Sequence, residues 1–132
     1  MKNKKFISTA KDVINLEIKA LQSLKKQINN SFNEAVHQIS KCQSKVVLCG
    51  VGKSGIIASK IAATFSSIGT PSFSLSAGDS SHGDLGSISK KDILILLSYS
   101  GQTEELKNII KYANRNKILL IGIVSNKDSI LY

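Results

Sequence analysis

The stretch Lys45-Val46-Val47-Leu48-Cys49-Gly50-Val51-Gly52-Lys53-Ser54-Gly55 changes the hydrophobic period of the chain. Four apolar residues in a row, then glycines, read as a buried parallel strand running into a tight turn and a helix. Before it, Ile14, Ile18, Leu21, Ile28, Phe32, Ala35 and Ile39 recur at helical spacing, which predicts helix from residue 7 to about 40. Asn29-Asn30-Ser31 interrupts the good helix formers, and Asn30 or Ser31 is read as the cap of a second, shorter helix.

After it, strand and helix patterns alternate. Ser54–Ser67 reads as helix, Ser72–Ser76 as strand, Ser80–Gly86 as a polar connection and Asp92–Leu97 as strand. Glu104–Asn114 then reads as helix and Ile118–Val124 as a fourth strand. This alternation predicts an α/β doubly wound parallel sheet with right-handed crossovers and the common strand order 2-1-3-4. Beyond Val124, Asp128 or Ser129 has the character of an N-cap with no helix after it. The sheet is therefore expected to lack its last elements and to leave an apolar edge strand open.

Length and composition bound the function. The chain has 132 residues, 42% hydrophobic and 20% charged, which fits one globular domain. Its longest apolar run, Ile118–Val124, is too short to span a bilayer, which takes roughly 20 residues. Lys11 and Asp12 cut short the apolar stretch behind the first lysines, so no secretory signal is expected. Cys42 and Cys49 match no zinc-ligand spacing, and two sparse cysteines suit a reduced, cytoplasmic protein.

The net charge is +9, of which +6 falls in residues 1–45. A basic excess can signal nucleic acid. Here 17 of 18 basic residues are Lys, whereas bidentate phosphate and base-edge contacts favour Arg. Aromatics are 5% with no Trp, so stacking platforms are scarce. The composition points to a lysine-rich surface and anionic small molecules, with neither nucleic acid nor membrane as partner.

Two loops carry the chemistry. The first is Gly50-Val51-Gly52-Lys53-Ser54-Gly55, for which several readings compete. A P-loop fails, because its first Gly would fall at Val47. A dinucleotide GxGxxG matches in spacing, but the tip of strand two is Ser76-Ala77-Gly78, with Asp79 just beyond, which places a ribose-binding acid poorly. A third reading is a turn whose amides and Ser54 meet a substrate while Lys53 projects into the cleft. The plainest is a tight βα turn and no more.

The second loop is Ser98-Tyr99-Ser100-Gly101-Gln102-Thr103, opening a helix at Glu104 and Glu105. Three hydroxyls, a glycine and a helix N-terminus make an anion cradle. A serine-rich helix cap is the plainer alternative. In the expected strand order both loops meet at the topological switch point, where open α/β sheets bind ligands. His82, in the loop Asp79–Gly86, is placed to move protons near neutral pH. His37 is read as a surface or packing residue. No metal and no cofactor are expected.

These segments resemble the sugar isomerase (SIS) domain family. Gly50–Gly55, Ala62–Leu75, His82–Gly86 and Ser98–Leu106, in that order, are similar to the arabinose-5-phosphate isomerases of lipopolysaccharide and capsule synthesis. The resemblance implies a five-stranded parallel sheet with flanking helices. It implies reversible interconversion of D-arabinose 5-phosphate and D-ribulose 5-phosphate, feeding Kdo synthesis, and assembly through the N-terminal helices and the sheet domain. By matching position, Ser54, Ser98, Ser100, Gly101 and Thr103 would hold the phosphate, and Gly50, Gly52 and Gly55 would shape the substrate loop. Lys53 would stabilise the enediolate, Glu105 is the matching catalytic carboxylate, and His82 would act in ring opening or proton movement.

The chain departs from the family pattern at Ser76-Ala77 and Asp79, where His-Pro and a Glu are usual, and at Gln102, where Glu is common. The family's fifth strand, closing helix, further acid and histidine fall beyond Tyr132. Residues 1–43 are thus expected to form an N-terminal helical segment and 44–132 an incomplete SIS domain. Two functions stand side by side: a sugar-phosphate isomerase, or a non-catalytic sugar-phosphate-binding module.

Overall fold

Continuous apolar runs form the strands. Val46–Gly50 (β1), Ser72–Ser76 (β2), Ile93–Ser98 (β3) and Leu119–Val124 (β4) make one parallel sheet of order β2-β1-β3-β4. The computed structural model describes residues 2–78 and 83–132. The helices are Lys2–Gln27 (α1), Asn30–Ser40 (α2), Lys53–Ser67 (α3) and Glu104–Arg115 (α4), with a short 3₁₀ turn at Asp84–Ser87.

The expected doubly wound sheet and its strand order are what the chain forms. Every residue of β1 and β3 is buried, as the helix-covered centre of a parallel sheet requires. Alternate residues serve opposite faces. Val46, Leu48, Ile93, Ile95 and Leu97 pack with Ala58 and Ala62 of α3. Val47, Cys49, Leu94 and Leu96 pack with Leu106, Ile109, Ile110 and Ala113 of α4. Truncating one of these core leucines to alanine costs about 2–5 kcal/mol.

The fourth strand pairs with β3 alone. Leu119, Ile121 and Ile123 stand in register with Ile93, Ile95 and Leu97, on the side that α3 covers over β1. Leu119 and Ile123 remain exposed.

Local readings change too: the first helix begins at Lys2 instead of residue 7. The helix break is capped by Asn29, whose Oδ1 accepts the Ser31 amide at 2.9 Å, rather than by Asn30 or Ser31. Asp92 precedes β3 instead of opening it. Its buried carboxylate accepts bonds from Ser44 Oγ (2.6 Å), the Ser89 amide (2.7 Å), Lys45 Nζ (2.9 Å) and Ser89 Oγ (3.1 Å). Burial alone would push this carboxyl up; the four hydrogen bonds outweigh it and bring it down to about 2. After β4 the chain behaves as read, forming turns without a helix: Asn126 Oδ1 accepts the Asp128 amide at 3.0 Å, and Ser129 Oγ accepts the Tyr132 amide at 3.3 Å.

By its contacts the chain divides into units 1–37 and 38–132. In the first, Ile14, Ile18, Leu21 and Leu24 of α1 are exposed. Among the described residues no helix is long and apolar enough to cross a membrane.

Candidate functional site

The loops leaving β1 and β3 rise side by side, because Gly50 is in register with Leu97 on one flank and with Ser76 on the other. In the first loop, Gly52 has φ 57°, a conformation that favours glycine, and stands just before α3. Gly50 and Gly55 are needed for closeness. A Cβ on Gly50 would lie 2.7 Å from the Ser54 backbone carbon, and one on Gly55 would lie 2.8 Å from the Gly50 carbonyl oxygen. The turn therefore brings the start of α3 directly onto the end of β1. Lys53, its first residue, is exposed, and Ser54 is half-buried.

On the β2 side of this turn lies a cleft of about 350 Å³, lined by Gly50, Gly52, Gly55, Ile56, Ser59, Ser74, Leu75 and Ser76. Ser59 Oγ donates to Ser74 Oγ at 3.0 Å across it. No loop motif singles out these serines. Their signal is the alternation Ser72-Phe73-Ser74-Leu75-Ser76, which sets hydroxyls on one face of β2.

The second loop is built on hydroxyls. Ser98, buried at the end of β3, shares a hydrogen bond of 2.7 Å with Thr103 Oγ1 and accepts the Gly101 amide at 3.0 Å. Ser100 Oγ accepts the Gln102 amide at 3.2 Å. Thr103 is the N-cap residue of α4, yet its side chain turns back to Ser98 and caps nothing. The amides opening α4 therefore keep their positive end turned to the loop without a side-chain acceptor from Thr103. Ser98, Ser100, Gly101 and Thr103 thus form one connected cluster over a helix N-terminus.

Glu104 and Glu105 are both exposed in the first turn of α4. Glu104 pairs with Lys107; among the described residues Glu105 has no ion pair. His82, with Asp79, lies outside the described residues. His37 is exposed on α2. Among the described residues no three His, Cys, Asp or Glu side chains gather as a metal site.

Two contributors were not legible in the sequence. Ser125 donates from its hydroxyl (2.7 Å) and its amide (3.2 Å) to the Tyr99 carbonyl. Ser129 stands against Gly101, where a Cβ on residue 101 would collide with its hydroxyl.

The SIS domain model matches residues 38–132. The chain is 45% identical over 124 residues to the arabinose 5-phosphate isomerase KdsD of Yersinia pestis, covering 94% of this chain and 38% of that protein. It is likewise 45% identical over 122 residues to an uncharacterised protein of Rickettsia prowazekii, covering 92% of this chain and 38% of that one. Among solved structures, an Escherichia coli CFT073 protein in complex with arabinose 5-phosphate is 39% identical with a TM-score of 0.92, covering 99% of this chain and 70% of that one. The chain thus spans less than two-fifths of these curated relatives. A match from Gln38 to Tyr132, carrying the hydroxyl loop and the glycine turn on adjacent strands, means that this chain belongs to the SIS domain family.

Proposed function

We propose that the chain binds a sugar phosphate at the carboxyl ends of β1 and β3 and serves aldose–ketose isomerisation between D-arabinose 5-phosphate and D-ribulose 5-phosphate. The observation that carries this is the Ser98–Thr103 hydroxyl cluster at the start of α4, one strand away from the Gly50–Gly55 turn. An anion cradle without Arg suits a phosphate monoester, whose charge is met by hydroxyls, amides and the helix dipole. In this reading Ser54, Ser98, Ser100, Gly101 and Thr103 hold the phosphate, and Gly50, Gly52 and Gly55 let the backbone approach the sugar.

The chemistry needs a base that carries a proton between C2 and C1 and a cation for the enediolate oxygen. The base takes the C2 proton of the open aldose as electrons move onto O1, giving an enediolate. The O2 hydroxyl proton passes to O1, the base returns its proton to C1, and O2 becomes the ketose carbonyl. Glu105 is assigned the carboxylate's part and Lys53 the cation's. His82 is assigned ring opening or proton movement. Both Glu105 and Lys53 are side chains of helix first turns, near the loops that would hold the substrate.

In the same reading the chain works in the cytoplasm on a substrate that its charge keeps there. Its five-carbon product feeds the synthesis of Kdo, an eight-carbon sugar acid of lipopolysaccharide or capsule, and it self-associates through its N-terminal helices and sheet domain. The exposed apolar side chains of α1 support the last point.

The test is calorimetric titration of the full chain with D-arabinose 5-phosphate, followed by a ketose assay. Binding that Ser100→Ala removes supports the phosphate assignment. Turnover supports the isomerase, and binding without turnover marks a sugar-phosphate-binding module. No heat with the phosphate ester, or a rise in melting temperature with NAD instead, would overturn the reading.

A further inference from the structure

We infer that Ser125 is a positioning residue for the anion loop: by holding the Tyr99 carbonyl it aims the Ser100 amide at the bound phosphate. The inference rests on the phosphate reading above and deepens it.

One peptide unit sets the direction. The Tyr99 carbonyl accepts two bonds from Ser125, from the hydroxyl at 2.7 Å and from the amide at 3.2 Å. In a trans peptide the C=O and the following N–H point in opposite directions. The Ser100 N–H is therefore turned away from Ser125. The two amides that follow are already engaged by loop hydroxyls, Gly101 by Ser98 Oγ and Gln102 by Ser100 Oγ. Among the described residues the Ser100 amide alone of these three has no acceptor within the chain.

The same clasp limits a repulsion. A carbonyl oxygen facing a phosphate opposes binding, and two carbonyls of this loop are held by donors of the segment after β4. The Tyr99 carbonyl goes to Ser125, and the Gly101 carbonyl accepts the Leu131 amide at 3.2 Å. The strap that supplies these donors is itself anchored. Leu131 is buried in the core cluster with Leu106 and Ile109, and it sits so closely over Gly122 that a Cβ there would lie 2.8 Å from the Leu131 carbonyl oxygen. Ser125 is thus the point at which a rigid strap sets the direction of one loop dipole, and such preorganised donors favour anions.

The test uses the full ¹⁵N-labelled chain and three variants: Ser125→Ala, Ser125→Thr and Ser125→Val. Each is titrated with D-arabinose 5-phosphate by calorimetry and with inorganic phosphate by amide NMR. Loss of one neutral hydrogen bond corresponds to about fivefold weaker binding in the Ala and Val variants, with Thr near the native value. The Ser100 amide proton moves downfield on saturation in the native and Thr chains and moves less in Ala and Val. Thr and Val share a shape and differ in the hydroxyl, so a loss confined to Val does not come from packing.

Equal affinity and equal Ser100 shifts in all four chains overturn the inference and leave the phosphate site standing. Equal losses in Thr and Val also overturn it. A native chain that binds neither probe overturns the proposed function first, and the role of Ser125 with it.

Discussion

Ser129 fills the space into which a side chain on residue 101 would project. Gly101 has φ 68°, and a Cβ built there collides with the Ser129 hydroxyl and lies 3.2 Å from Val124 Cγ1. Two independent constraints therefore fall on one position of the anion loop. Gly101→Ala is expected to cost about 1–3 kcal/mol from the backbone conformation alone. The loop is then displaced, and affinity for D-arabinose 5-phosphate falls. Ser129→Gly in the same chain relieves the collision but not the backbone strain, so it restores only part of the melting temperature. Full recovery would show that φ at residue 101 is not the constraint.

Glu105 has a different expected signature. Glu105→Gln keeps the size and helix propensity of the side chain but removes the carboxylate that the proposed reaction assigns as its base. Turnover is expected to fall at least about 100-fold, with sugar-phosphate affinity unchanged. The check is a steady-state assay paired with calorimetry. A variant that keeps the native rate removes Glu105 from the chemistry.

The acid limb of stability should report Asp92. Its carboxyl is held at about 2, against an ordinary value of 3.8. The folded state therefore binds fewer protons than the unfolded one in between, and its stability is lost as pH falls from about 4 towards 2. A shift of this size corresponds to about 2 kcal/mol. Urea unfolding of the native chain at pH 5 and pH 2.5 measures it. Asp92→Asn is expected to be about 2–3 kcal/mol less stable at pH 7, since an amide cannot accept from Ser44, Lys45 and Ser89 together. Its stability should then change less between the two pH values.

The two cysteines should separate chemically. Cys49 is fully buried in β1, and burial pushes its thiol up to about 11. Cys42 is half-buried. Ellman's reagent on the native chain at pH 8 should titrate one thiol quickly and the second only on unfolding. Cys42→Ser should remove the fast phase. A fast phase that survives this change would place the reactive thiol at Cys49 and contradict its burial.

The hydroxyls of the site were half legible. Ser98, Ser100 and Thr103 stand within six residues, and with a glycine among them before a helix start they read as the hydroxyl cluster that the structure forms. Ser125 and Ser129 carry no such pattern. They reach the loop only because β4 lies beside β3 in register, with Ser98 opposite Val124. The Ser59–Ser74 pair lining the cleft is equally a product of packing, since it joins α3 to β2.

The alternation of strands and helices, the order of the sheet and the two loops at the ends of β1 and β3 could all be read along the chain. They follow from periodicity and turn chemistry, which are written between near neighbours. Which residues steady those loops, and which close the opposite end of the sheet, emerged only when the strands paired. Ser125 meets Tyr99 across 26 positions and Ser44 meets Asp92 across 48. Contacts of that separation are set by strand register, and no local pattern of polar and apolar residues encodes it.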